Sequence, residues 1–539
     1  MLLVGLACGL SLLASDPAAA QLGEVESEAE IRAAAKERQR LWGLSGELRV
    51  KGQYEEALEV AQRALEIDRE LLADRPELID ESLEVTAELH EVLDQFDEAI
   101  ALRKEVLQRR MTRHGDDHVS TVSARVALEH LRAVAGLDEQ QREQYEKADE
   151  LMATLNADFA ARDFAAALKK LETIGTIRTS LFGETSLRMI GVHSDTARVR
   201  SAQGEARTAL ASGKKAYDTA LAVLGPNHPQ TAEALNLYGM MALEMGQYDE
   251  AASSFERAAI IFAQTRGEAD PAYLNALNNG ATVLKLQGRL EPAVDLFRRI
   301  ATRRLAVNGD RHPAYALALN NLADAYLRLG HIIEAEALLT VARQIQTESL
   351  GEQNDETLTT SENLAGLYSR SGRLDRAEEL MQSILAVRRE RLGGDHPVTA
   401  QATNTLAAIL YRARRYEEAE PLFREVLAIR RRTFGEAHPD TLVARNNLAY
   451  ALKDQGDVAG ATTEADQLLE QARTLGATSE VLAGALRLRG QLHLMKGERE
   501  QAVPLLREAI ETYFKSQGPD GPETQFCKQL LEQALSTDP

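Results

Sequence analysis

Four histidines, His228, His312, His396 and His438, each stand directly before a proline, and neutral imidazole is a common ligand for zinc. A shared ion would need their nitrogens about 2.0–2.1 Å from one centre. Positions that repeat along stacked helical hairpins are instead about 10 Å apart or more, as packed helices are. These four histidines therefore cannot meet at one metal, and their place before a helix-starting proline predicts helix caps. His90-Glu91 has no second histidine four residues on, and neither a Gly-x-Ser-x-Gly nor a phosphate-cradling Gly-x-x-x-x-Gly-Lys-Ser/Thr motif occurs. The many carboxylates read as solvated charges on helix faces. No catalytic residue, metal site or cofactor is expected, and the chain reads as non-enzymatic.

The spacing of small residues says why the chemistry is dispersed. Gly225, Gly267, Gly309, Gly351, Gly393 and Gly435 succeed one another at intervals of 42 residues, without slippage. Ala251, Ala293, Ala335, Ala377, Ala419 and Ala461 keep the same beat, as do Asn236, Asn278, Asn320, Asn404 and Asn446, with Glu362 filling the one gap. Such a period belongs to stacked units, each burying its apolar face against its neighbours. His312 to Gly351 shows one unit in full. His312-Pro313 opens a helix whose Leu319, Leu322, Ala323 and Tyr326 recur at helical spacing, and Gly330 ends it. A second helix turns Ile332, Ala335, Leu339, Ala342 and Ile345 inward. Small residues at 323 and 335 let the two helices approach closely, where leucine would cost about 1–3 kcal/mol. Glycine fills the turn at 246, 288, 330, 372 and 456; Arg414 occupies that place in its own unit, which predicts strain or a different turn there.

Composition agrees. Of 539 residues, 44% are hydrophobic and 5% aromatic, which suits Ala/Leu-rich helix packing rather than sheets. The formal charge of −21, from 83 acidic and 62 basic side chains, opposes nonspecific binding to nucleic acid or anionic membranes. Two cysteines, Cys8 and Cys527, cannot build a disulfide framework or a thiolate metal site, and Cys527 reads as a small apolar side chain. The apolar run at 2–14, too short to span a bilayer, and the small-residue pattern Ala18-x-Ala20 predict a signal peptide over 1–20, although Arg32 is the first basic residue. The mature chain is then exported, periplasmic or secreted, with no membrane span; without cleavage it is cytoplasmic.

Leu319-Asn320-Asn321-Leu322-Ala323, Leu277-Asn278-Asn279 and Arg445-Asn446-Asn447-Leu448-Ala449, with Tyr and then Gly-x-Tyr/Leu-x-x-Ala after them, resemble the tetratricopeptide repeat. The 42-residue length and the His-Pro opening resemble the longer repeat of kinesin light chains. The resemblance covers about 184–475 and implies an all-α, right-handed superhelical solenoid of helical hairpins. Segments such as Gly52-Gln53-Tyr54-Glu55-Glu56-Ala57 and Gln95-Phe96-Asp97-Glu98-Ala99 carry divergent repeats through 21–183. A last repeat, marked by Gly497-Glu498, and a capping helix from Pro519 to Leu535 complete 476–539, for about eleven hairpins and a cap.

The resemblance also implies a function, that of a scaffold or adaptor which binds a peptide or protein in its concave groove. In that family the first helices line the groove, and their asparagines hold a peptide backbone. The matching residues here are Asn236, Asn278, Asn320, Asn404 and Asn446, with neighbours Asn279, Asn321, Asn363 and Asn447. A carboxamide both donates and accepts, so it can serve a peptide or equally complete hydrogen bonds within the stack. Arg328, Arg370 and Arg412, with Lys285 and Lys453 one position earlier in their units, form a basic series that would select an acidic partner; the same residues also complement helix C-terminal dipoles. Arg388, Arg389, Arg430, Arg431 and Arg432 lie on second helices and read as solvated charges of the convex side. A second functional reading makes the chain a structural or regulatory subunit of an exported complex, held by its convex face or its ends.

Overall fold

The computed structural model describes residues 22–71, 75–474 and 480–536. The run at 2–14, Cys8 and the Ala18-x-Ala20 pattern lie outside the described residues, as does the boundary expected at 475. Among the described residues there are 24 helices and no strand, and no helix is long and apolar enough to cross a membrane. Two compact units divide the chain, Met1–Val283 and Leu284–Pro539.

The first unit begins with α1 (Leu22–Val50), α2 (Tyr54–Leu71), α3 (Pro76–Val92), α4 (Phe96–His114), α5 (Val119–Ala135) and α6 (Glu139–Ala161). It continues with α7 (Phe164–Phe182), α8 (Leu187–Ala202), α9 (Ala206–Leu224), α10 (Pro229–Glu244), α11 (Tyr248–Arg266) and most of α12 (Pro271–Leu286). The second unit holds α13 (Leu290–Asn308), α14 (Pro313–Leu329), α15 (Ile332–Leu350), α16 (Asp355–Arg370), α17 (Leu374–Leu392) and α18 (Pro397–Arg412). After these come α19 (Tyr416–Phe434), α20 (Pro439–Gln455), α21 (Val458–Thr474), α22 (Glu480–Met495), α23 (Arg499–Gln517) and α24 (Pro522–Leu535).

The helix starts are set by their caps. The Nδ1 of His228, His312, His396 and His438 accepts the backbone N–H two residues on, at 3.0–3.2 Å, and proline fills the first helical position. Asn354 and Asp270 do the same with side-chain oxygens for α16 and α12. The histidines are caps, as expected, and among the described residues no His/Cys/Asp/Glu group could hold a metal.

The 42-residue glycines end the second helices. Gly225, Gly267, Gly309, Gly351, Gly393 and Gly435 adopt φ of 81–92° with ψ of 159–173°, a region that side-chain-bearing residues essentially never occupy. Thr231, Thr357 and Thr441 donate to the carbonyls of Gly225, Gly351 and Gly435 and close the loop into the next helix. The turns between paired helices are less demanding. They need only the left-handed region, which Gly330 takes with φ 84° and Arg414 with φ 60°. Asp94 and Arg162 do likewise, with φ of 57° and 56°.

In the second unit each hairpin packs on the next. Ala323 and Ala335 meet with no exposure beside Leu339, Leu364 and Leu367, and Ala407 and Ala419 repeat the crossing one unit from Ala365 and Ala377. The capping helix α24 lies on α23 and α22, and Cys527 is buried among Leu442, Leu482 and Leu486. Burial pushes its thiol up to about 11, so it behaves as an apolar group.

The first unit departs from the expected uniform array. Asp94 and Arg162 lie 68 residues apart, 26 beyond one period; α5 ends in phase at Gly136, 42 residues after Asp94, and the extra 26 residues hold α6. Helix α5 opens like a first helix, with His118 Nδ1 accepting from Ser120 N–H, but the 23-residue α6 comes next and pairs with α7. Val126 of α5 instead packs with Ile190, Ala216, Ala220, Leu224 and Ala234 of α8, α9 and α10. Ser123 Oγ lies 2.9 Å from His228 Nε2, and Arg188 Nε donates to His130 Nε2 at 3.1 Å. Among the described residues, eleven helix pairs joined by tight turns and the cap are present as expected, with α5 unpaired.

Substitution tests both the backbone constraint and the caps. Arg414→Gly relieves a left-handed arginine and should raise the unfolding free energy by about 1 kcal/mol, whereas Gly309→Ala should lower it by about 1–3 kcal/mol. Urea denaturation monitored by circular dichroism measures both, and an unmoved Arg414→Gly midpoint would deny the strain. Burial, then the Arg266 cation, holds His228 down to about 4 from an ordinary 6.5. Between those values the unfolded chain binds more protons than the folded one, so stability is full above 6.5 and falls as the pH drops towards 4. His228→Asn keeps a capping acceptor without a titrating ring; its acid-side loss between pH 6.5 and 4 should be smaller than that of the native chain.

Candidate peptide-binding face

The first helices carry every residue singled out for the groove. Asn236 is on α10; Asn278, Asn279 and Lys285 on α12; Asn320, Asn321 and Arg328 on α14. Asn363 and Arg370 are on α16, Asn404 and Arg412 on α18, and Asn446, Asn447 and Lys453 on α20. Within the units, first helices approach one another directly, α8 to α10, α14 to α16, α16 to α18 and α20 to α22. Among the described residues no pair of second helices comes comparably close. In these four pairs the first helices come closer to one another than the second helices do.

The asparagines form a ladder between neighbouring units. Nδ2 of Asn279 donates to Asn236 Oδ1 at 3.2 Å, that of Asn363 to Asn320 Oδ1 at 3.0 Å, and that of Asn447 to Asn404 Oδ1 at 3.3 Å. Each step joins residues 43 apart, so the second amide of one unit binds the first amide of the unit before it. Where the ladder breaks, both members change together. Glu362 replaces the acceptor, and Thr405 replaces the donor and turns to the carbonyl of Gln401. Asn320 is buried and the others are half-buried. Asn446 Oδ1 is enclosed without a partner, since α22 offers no further amide to the ladder.

Glu362 is held by Arg388, and this pair corrects the reading of Arg388 as a solvated convex charge. Arg388 is 7% exposed; both of its terminal nitrogens reach the Glu362 carboxylate, and one also reaches the Val398 carbonyl at 3.4 Å. It ties α17 to α16 and α18. Burial raises the Glu362 carboxyl, with Arg388 opposing that rise. Arg430 is likewise engaged, with the Asp440 carbonyl and Gln401 at 2.9 Å each. Arg389, Arg431 and Arg432 are exposed, and pair with Glu425, Glu436 and Asp395. Arg445, beside the Asn446-Asn447 pair, is 1% exposed and bound by Glu436 and Glu464.

The basic series is partly neutralised from within. Lys285 Nζ lies 2.6 Å from Asp324, which also has Arg328 Nε at 3.7 Å, and Lys453 Nζ lies 2.5 Å from Asp454. Tyr411 donates its hydroxyl to Asp454, and burial together with this bond pushes its phenol well above the ordinary value. Asp324 and Asp454 escaped the sequence reading, although Asp324 stands four residues before Arg328 and Asp454 directly after Lys453. Arg370 and Arg412 remain exposed, with no carboxylate among the described residues within 4 Å. Arg370 borders a pocket of about 180 Å³ between α14 and α16, lined also by Asn320, Asn363, Gly366 and Leu367 and by two carboxylates, Asp324 and Glu362, which Lys285 and Arg388 neutralise. Gly366 opens its floor, where Asp324, Ala408 and Tyr450 stand at the same phase in other units.

The tetratricopeptide repeat pattern matches residues 188–264, 230–306, 272–348, 356–432 and 398–463. No curated protein matches the chain. Among solved structures it is similar to nearly identical TPR-like repeats assigned to a kinesin light chain of Podosopora anserina, at 25% identity over 38% of this chain and 97% of that one, with a TM-score of 0.35. It is also similar to BtubC (BKLC) from P. vanneervenii, at 24% identity over 42% and 92% of the two chains with a TM-score of 0.38. Yeast Tom70 aligns at 14% identity over 94% and 98%, with a TM-score of 0.42. Five overlapping stretches matching one repeat pattern, on a chain built of paired helices, place the protein in the tetratricopeptide repeat family, whose members generally bind other proteins as scaffolds.

Proposed function

We propose that the first-helix face of the second unit, from the α14–α16 pocket to Arg412, grips an extended acidic segment of a partner protein. The observation that carries this reading is the contrast within the basic series. Lys285, Arg328 and Lys453 rest on the chain's own carboxylates, while Arg370 and Arg412 are exposed and unpaired among the described residues. In a chain of net charge −21, two such arginines on one face attract a negatively charged segment and orient it.

The amide ladder supports the same reading. Each step uses one Nδ2 and one Oδ1, which leaves Asn320 Nδ2 as a donor and Asn363 Oδ1 as an acceptor beside the pocket. A peptide backbone needs one of each. The ladder also holds both carboxamides in fixed orientations, so little side-chain entropy is lost on binding. The structural and binding roles of asparagine are compatible, because they use different atoms of one group.

A displayed library of random peptides tests this. Selected binders should be rich in Asp and Glu, and Arg370→Glu with Arg412→Glu should weaken them about tenfold or more. The loss should shrink as salt rises. Binders that lack acidic residues, or that keep their affinity in the double variant while removal of α22–α24 abolishes it, would refute the groove.

A further inference from the structure

The second helices face the next hairpin through one position that repeats every 42 residues, at Ala259, Ala301, Arg343, Leu385 and Leu427. The four apolar members are 4–5% exposed. Arg343 on α15 is the exception: it has no hydrogen bond or ion pair among the described residues, and its Nε is enclosed without an acceptor. Beside it a cleft of about 350 Å³ opens between α15 and α16, lined by Thr340, Arg343, Thr347, Leu364 and Tyr368. A leucine would close that cleft, as Leu385 and Leu427 do in their own units.

The outer surface of α15 departs from the array at the same place. Ile333 is 82% exposed where Asp249, Glu291, Asp375 and Glu417 stand at the same phase. Val341 is 44% exposed where Arg257, Arg299, Ser383 and Glu425 stand. The stripe Ile333, Ala337, Val341, Gln344 is exposed and carries no charge, on a class of helix otherwise dressed in arginine and glutamate. Enclosing the Arg343 Nε–H without an acceptor is unfavourable, and the two carboxylates that line the cleft, Glu348 and Glu352, make no ion pair with it. Both departures become favourable if something seats there.

We propose that the outer face of α15 is a second docking surface, for a protein segment that places a carboxylate on Arg343 and apolar side chains on Ile333 and Val341. The planar guanidinium takes a carboxylate through two parallel N–H···O bonds, which matches a charge lacking a partner in a cleft. A polypeptide fits better than a free anion. Glu348, held by Gln344 at 2.9 Å, and Glu352 stand at the cleft's rim and would repel a bare anion, whereas a segment can set a lysine against them. The surface lies on the second-helix side and does not depend on the first-helix groove.

The test uses the full chain and two fluorescent heptapeptides, acetyl-Leu-Leu-Glu-Leu-Lys-Leu-Gly and the same peptide with Gln for Glu, with anisotropy as the readout. The Glu peptide should bind about tenfold tighter than the Gln peptide, the worth of one charge-assisted bidentate contact. That preference should persist in the Arg370→Glu, Arg412→Glu groove variant and vanish in Arg343→Leu. Arg343→Leu should keep or raise the melting temperature, because leucine completes the apolar series. Equal affinity for the two peptides, or a preference that survives Arg343→Leu, overturns the proposal. A lowered melting temperature in Arg343→Leu would make Arg343 a structural residue and overturn it equally.

Discussion

The stack depends on one backbone constraint, the loop that leaves each second helix through positive φ and extended ψ. Only glycine occupies that region without strain, so the residue at the end of the helix cannot drift, and neither can the length of the hairpin between two such loops. Gly225 to Gly435 keep an interval of 42 residues for this reason. The turn inside each hairpin is more forgiving, since the left-handed region merely disfavours a side chain. Arg414, Asp94 and Arg162 stand there.

Fixed length puts every side chain in phase with its counterparts, and phase turns small preferences into continuous features. The asparagine ladder is one: a carboxamide at each of two adjacent positions meets its neighbour 43 residues away, so a single choice of residue joins unit to unit. Where Glu362 enters the row, the donor at 405 becomes threonine and Arg388 turns inward to meet the carboxylate. Burial of that arginine is tolerable because its charge is matched in place. Arg343 lacks such a match, which sets it apart from Arg388 although both are half or more enclosed on second helices.

The α5 helix shows the limit of periodic reasoning. Its opening reproduces the histidine cap of a first helix, and local chemistry there is the same as at His228. The surface it covers is decided by the next helix in the chain. The long α6 takes the place of a second helix and leaves Val126 to pack on α8, α9 and α10. Residues 119–205 carry weak repeat signals because the insertion breaks the phase on which those signals rest.

Hairpin count, the histidine caps and the all-helical class were legible in the chain alone, because each rests on local rules: a capping histidine, a proline at the first helical position, a glycine where only glycine fits. The final helix begins at Pro522 rather than Pro519. The candidate face was legible in part. Periodicity placed the asparagines and bases on first helices, since phase survives folding. Which of those bases keep a free charge was settled by Asp324 and Asp454, whose reach towards Lys285 and Lys453 depends on packing. The same holds for Arg388, placed on the outer side by its helix and drawn inward by Glu362. Sequence determines which backbone conformations and which phases are available; the pairing of charges over several ångströms, and the partner surface that α5 finds, are decided only when the helices are brought together.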